Sequence, residues 1–390
     1  MNLHVDLGID SLNKHHEELC GDNVEVVRNG EATVIVLADG LGSGVKANIL
    51  SKLTAKIIGT LMANHLPIEE AVETIANTLP VCRERSIAYS TFSILELFHD
   101  GSGYLVEFDN PAIFRLRKGA ILPMETVVRE IAGKTIKESR FTVQPGDLFV
   151  MVSDGVIHAG VGQSLNLGWQ WEHVADYLTK TWRADLTAKT VSKLLVSVCD
   201  GLYAGLPGDD TTVVSVLIRK PVCLSVMVGP PVRQDEDGAV VRDFLMQDGP
   251  HVVCGGTTSG IVARELGVEV ETSFDYMNPA VPPVARIKGI DLATEGVLTL
   301  RKALEQISTC VADGSTMQDY LSLTNRDGAS RLAKMLLEEC TEVRFLVGRA
   351  MNPAHQNPEF PLSLGLKLKL VEEIAGLLRT MGKTVEVQYH

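Results

Sequence analysis

Short runs of alternating hydrophobic and polar residues dominate the first 220 residues, a pattern typical of β-strands. Strands are predicted at 24–27, 33–37, 91–97, 104–108, 113–116, 141–143, 148–152 and 211–218. Apolar positions at helical spacing predict helices at 45–63, 68–79, 171–182 and 188–204. The face of the first helix expected to pack on a sheet carries Val45, Ile49, Leu50, Leu53, Ile57 and Leu61. Strands interrupted by paired helices favour a layered α+β domain.

The pattern changes at Arg219-Lys220-Pro221, after which near-continuous apolar strands alternate with helices. The strands are predicted at 224–228, 252–254, 268–271, 343–347 and 385–387. The helices are predicted at 238–246, 260–266, 292–307, 328–340 and 364–381. This rhythm is typical of parallel strands joined by crossover helices. We therefore expect two domains, 1–220 and 221–390, the second an α/β domain of Rossmann-like type with a mostly parallel sheet.

Composition and charge narrow the function classes. The chain has 390 residues, 45% of them hydrophobic, and a formal net charge of −13. No basic block is present to neutralise a nucleic-acid backbone or an anionic membrane, and every apolar run is interrupted before the roughly 20 residues of a membrane span. The seven cysteines are scattered and never in C-x-x-C spacing. These features predict reduced thiols in a cytoplasmic protein, with no nucleic acid and no membrane among its partners.

Four aspartates stand where a predicted strand meets a turn: Asp22, Asp39, Asp154 and Asp209. Strands of one domain can bring such ends together, and convergent carboxylates repel unless a cation lies among them. Oxygen ligands suit Mg²⁺ or Mn²⁺, whereas zinc would need imidazole or thiolate. Gly40 has no Cβ, so its carbonyl could approach an ion closely. Each Asp-Gly pair taken alone is also ordinary turn chemistry.

Together, the sequences around these aspartates resemble a known family. The segments are Cys20-Gly21-Asp22-Asn23, Ala38-Asp39-Gly40-Leu41-Gly42-Ser43-Gly44, Ser153-Asp154-Gly155 and Gly208-Asp209-Asp210-Thr211-Thr212. They resemble the metal-dependent serine/threonine protein phosphatases (PPM), in the bacterial branch typified by the stage II sporulation protein E phosphatase. The resemblance covers roughly residues 1 to 220.

The resemblance implies a β-sandwich flanked by helix pairs, with two Mn²⁺ or Mg²⁺ ions at one end. Asp39 would bridge the two ions, and Asp22 and the Gly40 carbonyl would bind one of them. Asp154 and Asp209 would bind the other, with Asp210 the weaker candidate at that position. A water shared by the ions would attack the phosphoester without a covalent intermediate. The implied substrate is phosphoserine or phosphothreonine on a regulatory partner protein, of the anti-anti-sigma type.

The chain departs from the family pattern at two points. Leu41 stands where eukaryotic members carry a histidine just after the Asp-Gly pair, and no arginine matches the one expected to hold the phosphate. A second hypothesis therefore stays open, in which the domain is a catalytically weak or inactive sensor or scaffold that uses the phosphatase fold for binding. The sequence also leaves the oligomeric state open.

The second domain resembles no family that its motifs identify. Its most distinctive segment is Gly255-Gly256-Thr257-Thr258-Ser259, which leads from a predicted strand into a helix. Glycines and free N–H groups at such a turn can hold an anion, although the Lys-Ser/Thr pair of a P-loop is missing. These five residues are candidates for binding a small anionic ligand, in a domain that senses a ligand or a partner. The alternative is a glycine-rich turn with hydroxyl caps.

Overall fold

The computed structural model describes residues 3–78, 90–272, 282–312, 314–350 and 362–390. The chain divides into two compact units, Met1–Lys220 and Pro221–His390. Two positions of the sequence analysis, Leu79 at the end of a predicted helix and Cys82, lie outside the described residues. None of the helices in the described ranges is long and apolar enough to cross a membrane.

Strands in the first unit form two antiparallel sheets. The strands are β1 (His4–Leu12), β2 (Asp22–Arg28), β3 (Ala32–Gly40), β4 (Ser90–Phe98), β5 (Ser102–Phe108), β6 (Phe114–Arg117), β7 (Ala120–Ile121), β8 (Val127–Ile131), β9 (Lys134–Thr142), β10 (Asp147–Val152) and β11 (Thr211–Arg219). One sheet has the order β1-β11-β10-β6-β7 and the other the order β2-β3-β4-β5-β9-β8. The sequence analysis did not predict β1 or β8.

A hydrophobic core lies between the two sheets. Ile35 and Leu37 of β3 pack there against Phe149 and Met151 of β10. The alternate β3 residues, including Val36, point to the opposite face and pack in a second core beneath two helices. Successive side chains of a strand point to opposite faces, so a strand between two cores is apolar throughout. The predicted β-sandwich is therefore confirmed.

Helices cover both outer faces of this sandwich. They are α1 (Gly44–Ala63), α2 (Ile68–Thr78), the short α3 (Asp154–Ile157), α4 (Trp171–Thr181) and α5 (Ala188–Leu202). Helices α1 and α2 contribute to the core on the β3 sheet, and α4 and α5 to the core on the β10 sheet. The result is the layered arrangement of paired helices around two sheets that the sequence predicted.

The predicted buried face of α1 is wrong in part. Val45, Ile49 and Leu53 are 60%, 52% and 46% exposed. The helix instead buries its small residues, which are Gly44, Ala47, Ser51, Thr54, Ala55 and Gly59, together with Ile58 and Met62. Small side chains let the helix axis approach the sheet closely, and α1 lies close enough that a side chain at Gly40 would overlap the Ala47 carbonyl.

The second unit contains one mixed sheet with helices. Its strands are β12 (Cys223–Val228), β13 (His251–Cys254), β14 (Val270–Thr272), β15 (Ala285–Ile287), β16 (Leu292–Thr294), β17 (Glu342–Val347) and β18 (Thr384–Tyr389). Its helices are α6 (Asp237–Phe244), α7 (Gly256–Leu266), α8 (Val297–Val311), α9 (Met317–Ser322), α10 (Gly328–Lys334), which continues into a π-helical turn at Met335–Glu339, and α11 (Leu362–Thr380).

The strand order of this sheet is β14-β15-β16-β13-β12-β17-β18. The pairs β12–β13, β12–β17, β13–β16 and β17–β18 are parallel, and only the β14 edge is antiparallel, which confirms the mostly parallel sheet. The predicted helix at 292–307 is wrong at its start. Leu292–Thr294 is a buried strand, and α8 begins only after Glu295 and Gly296.

Candidate active site

Asp22 and Asp39 face each other across two neighbouring strands. Asp22 is the first residue of β2 and Asp39 the penultimate residue of β3, and the antiparallel register pairs them directly. Directly paired residues in a sheet have neighbouring side chains. Gly40 ends β3 and donates its N–H to the Gly21 carbonyl at 3.2 Å. The hairpin therefore places three of the predicted ligand residues at one end of the sandwich.

The other sheet supplies the remaining aspartates. Strand β10 runs antiparallel to β11, with Val152 opposite Val213, so that the end of β10 lies beside the start of β11. Asp154 is two residues beyond β10, and Asp209 and Asp210 immediately precede β11. Ser153 joins the two segments, because its N–H donates to the Thr212 carbonyl and its hydroxyl accepts from the Thr212 N–H at 2.8 Å.

Glycines allow the two pairs of segments to approach each other. A Cβ at Gly21 would lie 2.8 Å from Asp210 Oδ2, and a Cβ at Gly155 would overlap the Asp210 carbonyl. Gly21 precedes Asp22 and Gly155 follows Asp154, so the close backbone contacts occur directly beside the carboxylates. The hairpin of one sheet and the strand ends of the other thus meet at a single place.

The carboxylates repel one another where they meet. Burial raises the pKa of Asp39 to about 9, with further increases from the charges of Asp22, Asp154 and Asp209. Burial also raises the pKa of Asp22 to about 7, an effect that the nearby Ser153 and Thr212 hydroxyls oppose and the charges of Asp210 and Asp154 reinforce.

Asp154 also has a raised pKa, from burial and then from the Asp209 charge, partly offset by His158. The charges that raise the pKa of Asp39 therefore come from both sheets: from Asp22 of β2, and from Asp154 and Asp209 beside β10 and β11.

Several of these carboxylate oxygens have no hydrogen-bond partner among the described residues. Asp22 is 6% exposed, and neither of its oxygens has a well-formed hydrogen bond with a residue that the structure describes, although the Ser153 and Thr212 hydroxyls lie nearby. Asp210 is 4% exposed, and its Oδ1 accepts the Lys14 N–H at 3.0 Å while its Oδ2 has no partner in the same part of the chain. Buried carboxylate oxygens without partners are costly and indicate a missing positive charge.

Lys14 is a residue that the sequence analysis missed. Its ammonium group lies 3.5 Å from Asp209 Oδ1, and its backbone holds Asp210. The side chains of Lys14 and Asp209 are 36% and 43% exposed, so this ion pair is screened by solvent and weak. No local signal marks Lys14, which lies in the loop after β1, 195 residues from Asp209 along the chain.

The donor set fits a hard divalent cation in its chemistry. It consists of carboxylates and the Gly40 carbonyl, all oxygen ligands, and the unpartnered oxygens of Asp22 lie within it. In the described part of the chain, no group of three or more His, Cys, Asp or Glu side chains already stands in an arrangement that could hold a metal ion.

Stability without metal is expected to fall as the pH rises. The folded pKa values of Asp22 and Asp39, about 7 and about 9, exceed the ordinary 3.8, so the folded state retains protons that the unfolded state releases. This contribution is complete at acidic pH and is lost as the pH rises through 7 and 9. Urea unfolding in EDTA should therefore give a lower free energy of unfolding at about pH 9 than at about pH 6. The double variant Asp22→Asn/Asp39→Asn gives the pH dependence that comes from all other groups. If the wild type, after this correction, has the same free energy of unfolding at both pH values, the expectation is contradicted.

The candidate residues of the second unit lie at the start of α7. Gly255 follows β13 with φ +121°, and Gly256 begins the helix. Thr258 and Ser259 are buried, whereas Gly256 and Thr257 are exposed. The Ser259 N–H donates to the Gly255 carbonyl at 2.8 Å, so none of the predicted hydroxyl caps closes this turn.

Known proteins that resemble this chain include phosphatases with a similar fold of sheets and helices. The sandwich, its helix pairs and the aspartates at one end form a PPM-type phosphatase fold. Residues 29–219 match the family model "Stage II sporulation protein E (SpoIIE)". This match confirms the resemblance to the stage II sporulation protein E family over that part of the chain. The match includes Asp39, Gly40, Asp154 and Asp209 and begins after Asp22. A search of curated proteins found no match.

Several solved structures are similar to part of this chain. The phosphatase domain of SpoIIE from Bacillus subtilis is 20% identical, with a TM-score of 0.43, over 56% of this chain and 93% of that one. The RsbU and RsbW domains of Rv1364c from Mycobacterium tuberculosis are 16% identical, with a TM-score of 0.48, over 67% and 73% of the two chains. The catalytic domain of the phosphatase PstP, solved with two manganese ions, is 14% identical, with a TM-score of 0.38, over 56% and 100%.

Proposed function

We propose that the first unit is a phosphoprotein phosphatase that depends on Mn²⁺ or Mg²⁺ and hydrolyses phosphoserine or phosphothreonine of a regulatory protein. The observation that carries the proposal is the convergence of Asp22, Asp39, Asp154 and Asp209 from two sheets, with Asp39 repelled by the other three. Such a charge cluster lowers stability and is explained by a function that requires it. The substrate class, including an anti-anti-sigma type of partner, rests on the family resemblance.

Each carboxylate has a separate role in this proposal. Asp22 and the Gly40 carbonyl would hold one ion, Asp154 and Asp209 a second, and Asp39 would contact both. Two such ions supply an activated water at neutral pH and offset the charge of the phosphoryl oxygens. Ser153 and Thr212 hold the two strand ends in register, and Lys14 compensates the charge of Asp209.

Hydrolysis of a phosphoserine peptide tests the reaction directly. We expect the full chain to release phosphate with Mn²⁺ or Mg²⁺ and to stop in EDTA. A chain that binds Mn²⁺ and a phosphopeptide but releases no phosphate would support the sensor or scaffold hypothesis instead. A chain that neither binds Mn²⁺ nor releases phosphate would contradict the proposed site as well as the proposed reaction.

Asp209 and Asp210 form a matched pair that tests the assignment of the last ligand. Asp209→Asn should abolish the increase in melting temperature on adding Mn²⁺, because it removes a charged ligand. Asp210→Asn should retain most of it, since an asparagine oxygen can still accept the Lys14 N–H that Asp210 accepts at 3.0 Å. Thermal unfolding of both variants with Mn²⁺ or EDTA makes the comparison. If Asp210→Asn loses the response and Asp209→Asn retains it, Asp210 is the ligand.

A further inference from the structure

Three neighbouring parallel strands of the second unit end level with one another. Val228 of β12 pairs with Cys254 of β13 on one side and with Val347 of β17 on the other. Each is followed by a glycine: Gly229, Gly255 and Gly348. The strand order changes direction at β12, from which the chain continues first to β13 and later to β17. In open α/β sheets, ligands bind at the carboxyl ends of strands beside such a change of direction.

The glycines allow a sharp turn and close backbone packing at this edge, where a Cβ at Gly348 would overlap the Pro230 carbonyl. Gly229 and Gly255 have φ values of +79° and +121°, which side-chain-bearing residues rarely adopt. The Gly229 N–H donates to the Cys254 carbonyl at 3.3 Å, and the Gly348 N–H donates to the Val228 carbonyl at 2.9 Å. The three strand exits are therefore tied together by backbone hydrogen bonds, about one strand spacing apart.

A buried lysine lies beside two of these exits, at Gly229 and Gly348. Lys367 of α11 is 8% exposed, and its ammonium group donates to the Gly348 carbonyl. A side chain at Gly229 would overlap that ammonium group. No carboxylate among the described residues forms an ion pair with Lys367, and burial lowers its pKa. A buried ammonium without a counter-charge is unfavourable unless an anion joins it.

The neighbouring helix offers donors for that anion. Helix α7 has no acidic residue in its first turn and no side-chain cap. Its first two residues, Gly256 and Thr257, are exposed, so a ligand can reach their N–H groups. Thr258 is 1% exposed, and its hydroxyl has no hydrogen-bond partner in the part of the chain that the structure describes. This hydroxyl lies next to Gly255, 3.1 Å from where a Cβ on that glycine would be. A helix N-terminus with free N–H groups is suited to a phosphate group.

We propose that this edge, formed by Gly229, Gly255, Gly348, the first turn of α7 and Lys367, binds the phosphate group of a small molecule. The amides of α7 and the Thr258 hydroxyl donate hydrogen bonds to the phosphate oxygens, and Lys367 supplies the counter-charge. The site takes a phosphomonoester or inorganic phosphate, since the Lys-Ser/Thr pair that serves a nucleoside triphosphate is missing.

Calorimetric titration of the full chain with inorganic phosphate tests this site. The titration is done in EDTA, where the first unit presents only repelling carboxylates, and at constant ionic strength set with chloride. We expect saturable binding by the wild type. Lys367→Met removes the charge, and Gly256→Pro removes one N–H at a helix position that tolerates proline. Each should weaken binding by roughly tenfold or more, the loss expected when a charged hydrogen-bond partner is removed.

Ser225→Ala is the matched control. Its buried hydroxyl has no hydrogen-bond partner in the described ranges, and it lies near the amino end of β12, away from the proposed site. Its loss should leave phosphate binding unchanged. Lys367→Met should leave the melting temperature of the free protein nearly unchanged. Removing a buried charge that has no carboxylate partner among the described residues offsets the lost hydrogen bond to the Gly348 carbonyl. No saturable binding by the wild type would overturn the proposal. Binding by Lys367→Met and Gly256→Pro that is as tight as that of the wild type would also overturn it.

Discussion

Replacing Asp39 with asparagine is expected to abolish metal-dependent hydrolysis and, at the same time, to stabilise the metal-free protein. Asp39 is repelled by Asp22, Asp154 and Asp209, so neutralising it relieves the repulsion in the folded state. The gain should be on the order of several kcal/mol at neutral pH, because a carboxyl whose pKa is about 9 instead of 3.8 has to take up a proton when the protein folds. Turnover should fall at least about a hundredfold, because a bound ion contributes several kcal/mol to the transition state and about 1.4 kcal/mol is a factor of ten.

Urea unfolding and thermal unfolding, each with EDTA and with Mn²⁺, measure both effects. Asp147→Asn is the matched control, since Asp147 is fully buried but receives hydrogen bonds from Arg117 at 2.5 and 2.7 Å. Its neutralisation should destabilise the protein and leave the response to Mn²⁺ in place. If Asp39→Asn lowered the stability of the metal-free protein, or still responded to Mn²⁺ as the wild type does, Asp39 would not be the shared ligand.

Replacing Gly40 with alanine is expected to destabilise the first unit and to weaken its response to metal. The new methyl group would overlap the backbone of Ala47 in α1. Helix α1 could make room for it only by moving away from the sheet on which it packs. Asn48 and Asn23 tie the helix there, through bonds to the Cys20 carbonyl and the Ser51 hydroxyl, each 2.7 Å long. Overpacking of this kind costs on the order of 3 kcal/mol in the free energy of unfolding.

Gly201→Ala is the control for the Gly40 variant. Gly201 lies in α5, and a Cβ there has open space around it, so alanine should raise stability by up to about 1 kcal/mol through helix propensity. Denaturant titrations of both variants give the comparison. A Gly40→Ala protein as stable as the wild type, with an unchanged response to Mn²⁺, would show that α1 does not constrain the Gly40 carbonyl.

The layers of sheet and helix in the first unit could be predicted from the sequence, because the hydrophobic pattern is strong there. The continuous apolar run of β3 and the helical spacing of α2, α4 and α5 reflect burial directly. The aspartates were recognisable because several weak turn motifs occur together in a fixed order. Hydrophobic periodicity therefore predicted a layered α+β domain, and the resemblance carried by these motifs implied the sandwich and the candidate site.

Other features depend on close contacts that periodicity does not encode. Helix α1 packs through Ala47, Ser51 and Ala55 because they allow a short distance to the sheet, whereas Val45 and Ile49 remain exposed. A hydrophobicity pattern assigns the larger side chains to the core and so predicts the opposite face.

Long-range pairing is the other source of error. The contact of Lys14 with Asp209 joins residues far apart along the chain and has no local signal. The three-residue strand β16 was mistaken for the start of a helix, because Leu292 and Ala293 fit either pattern over so short a stretch. Only the pairing of β16 with β13 separates the two alternatives.

An anomalous difference map from crystals grown with Mn²⁺ tests most directly whether the four carboxylates enclose metal ions. The account predicts two peaks about 3.5 to 4 Å apart, as in two-metal phosphatases. One should lie between Asp22 and the Gly40 carbonyl, the other between Asp154 and Asp209, with Asp39 touching both. Peaks elsewhere in the molecule, or none within reach of Asp39 at saturating Mn²⁺, would contradict it.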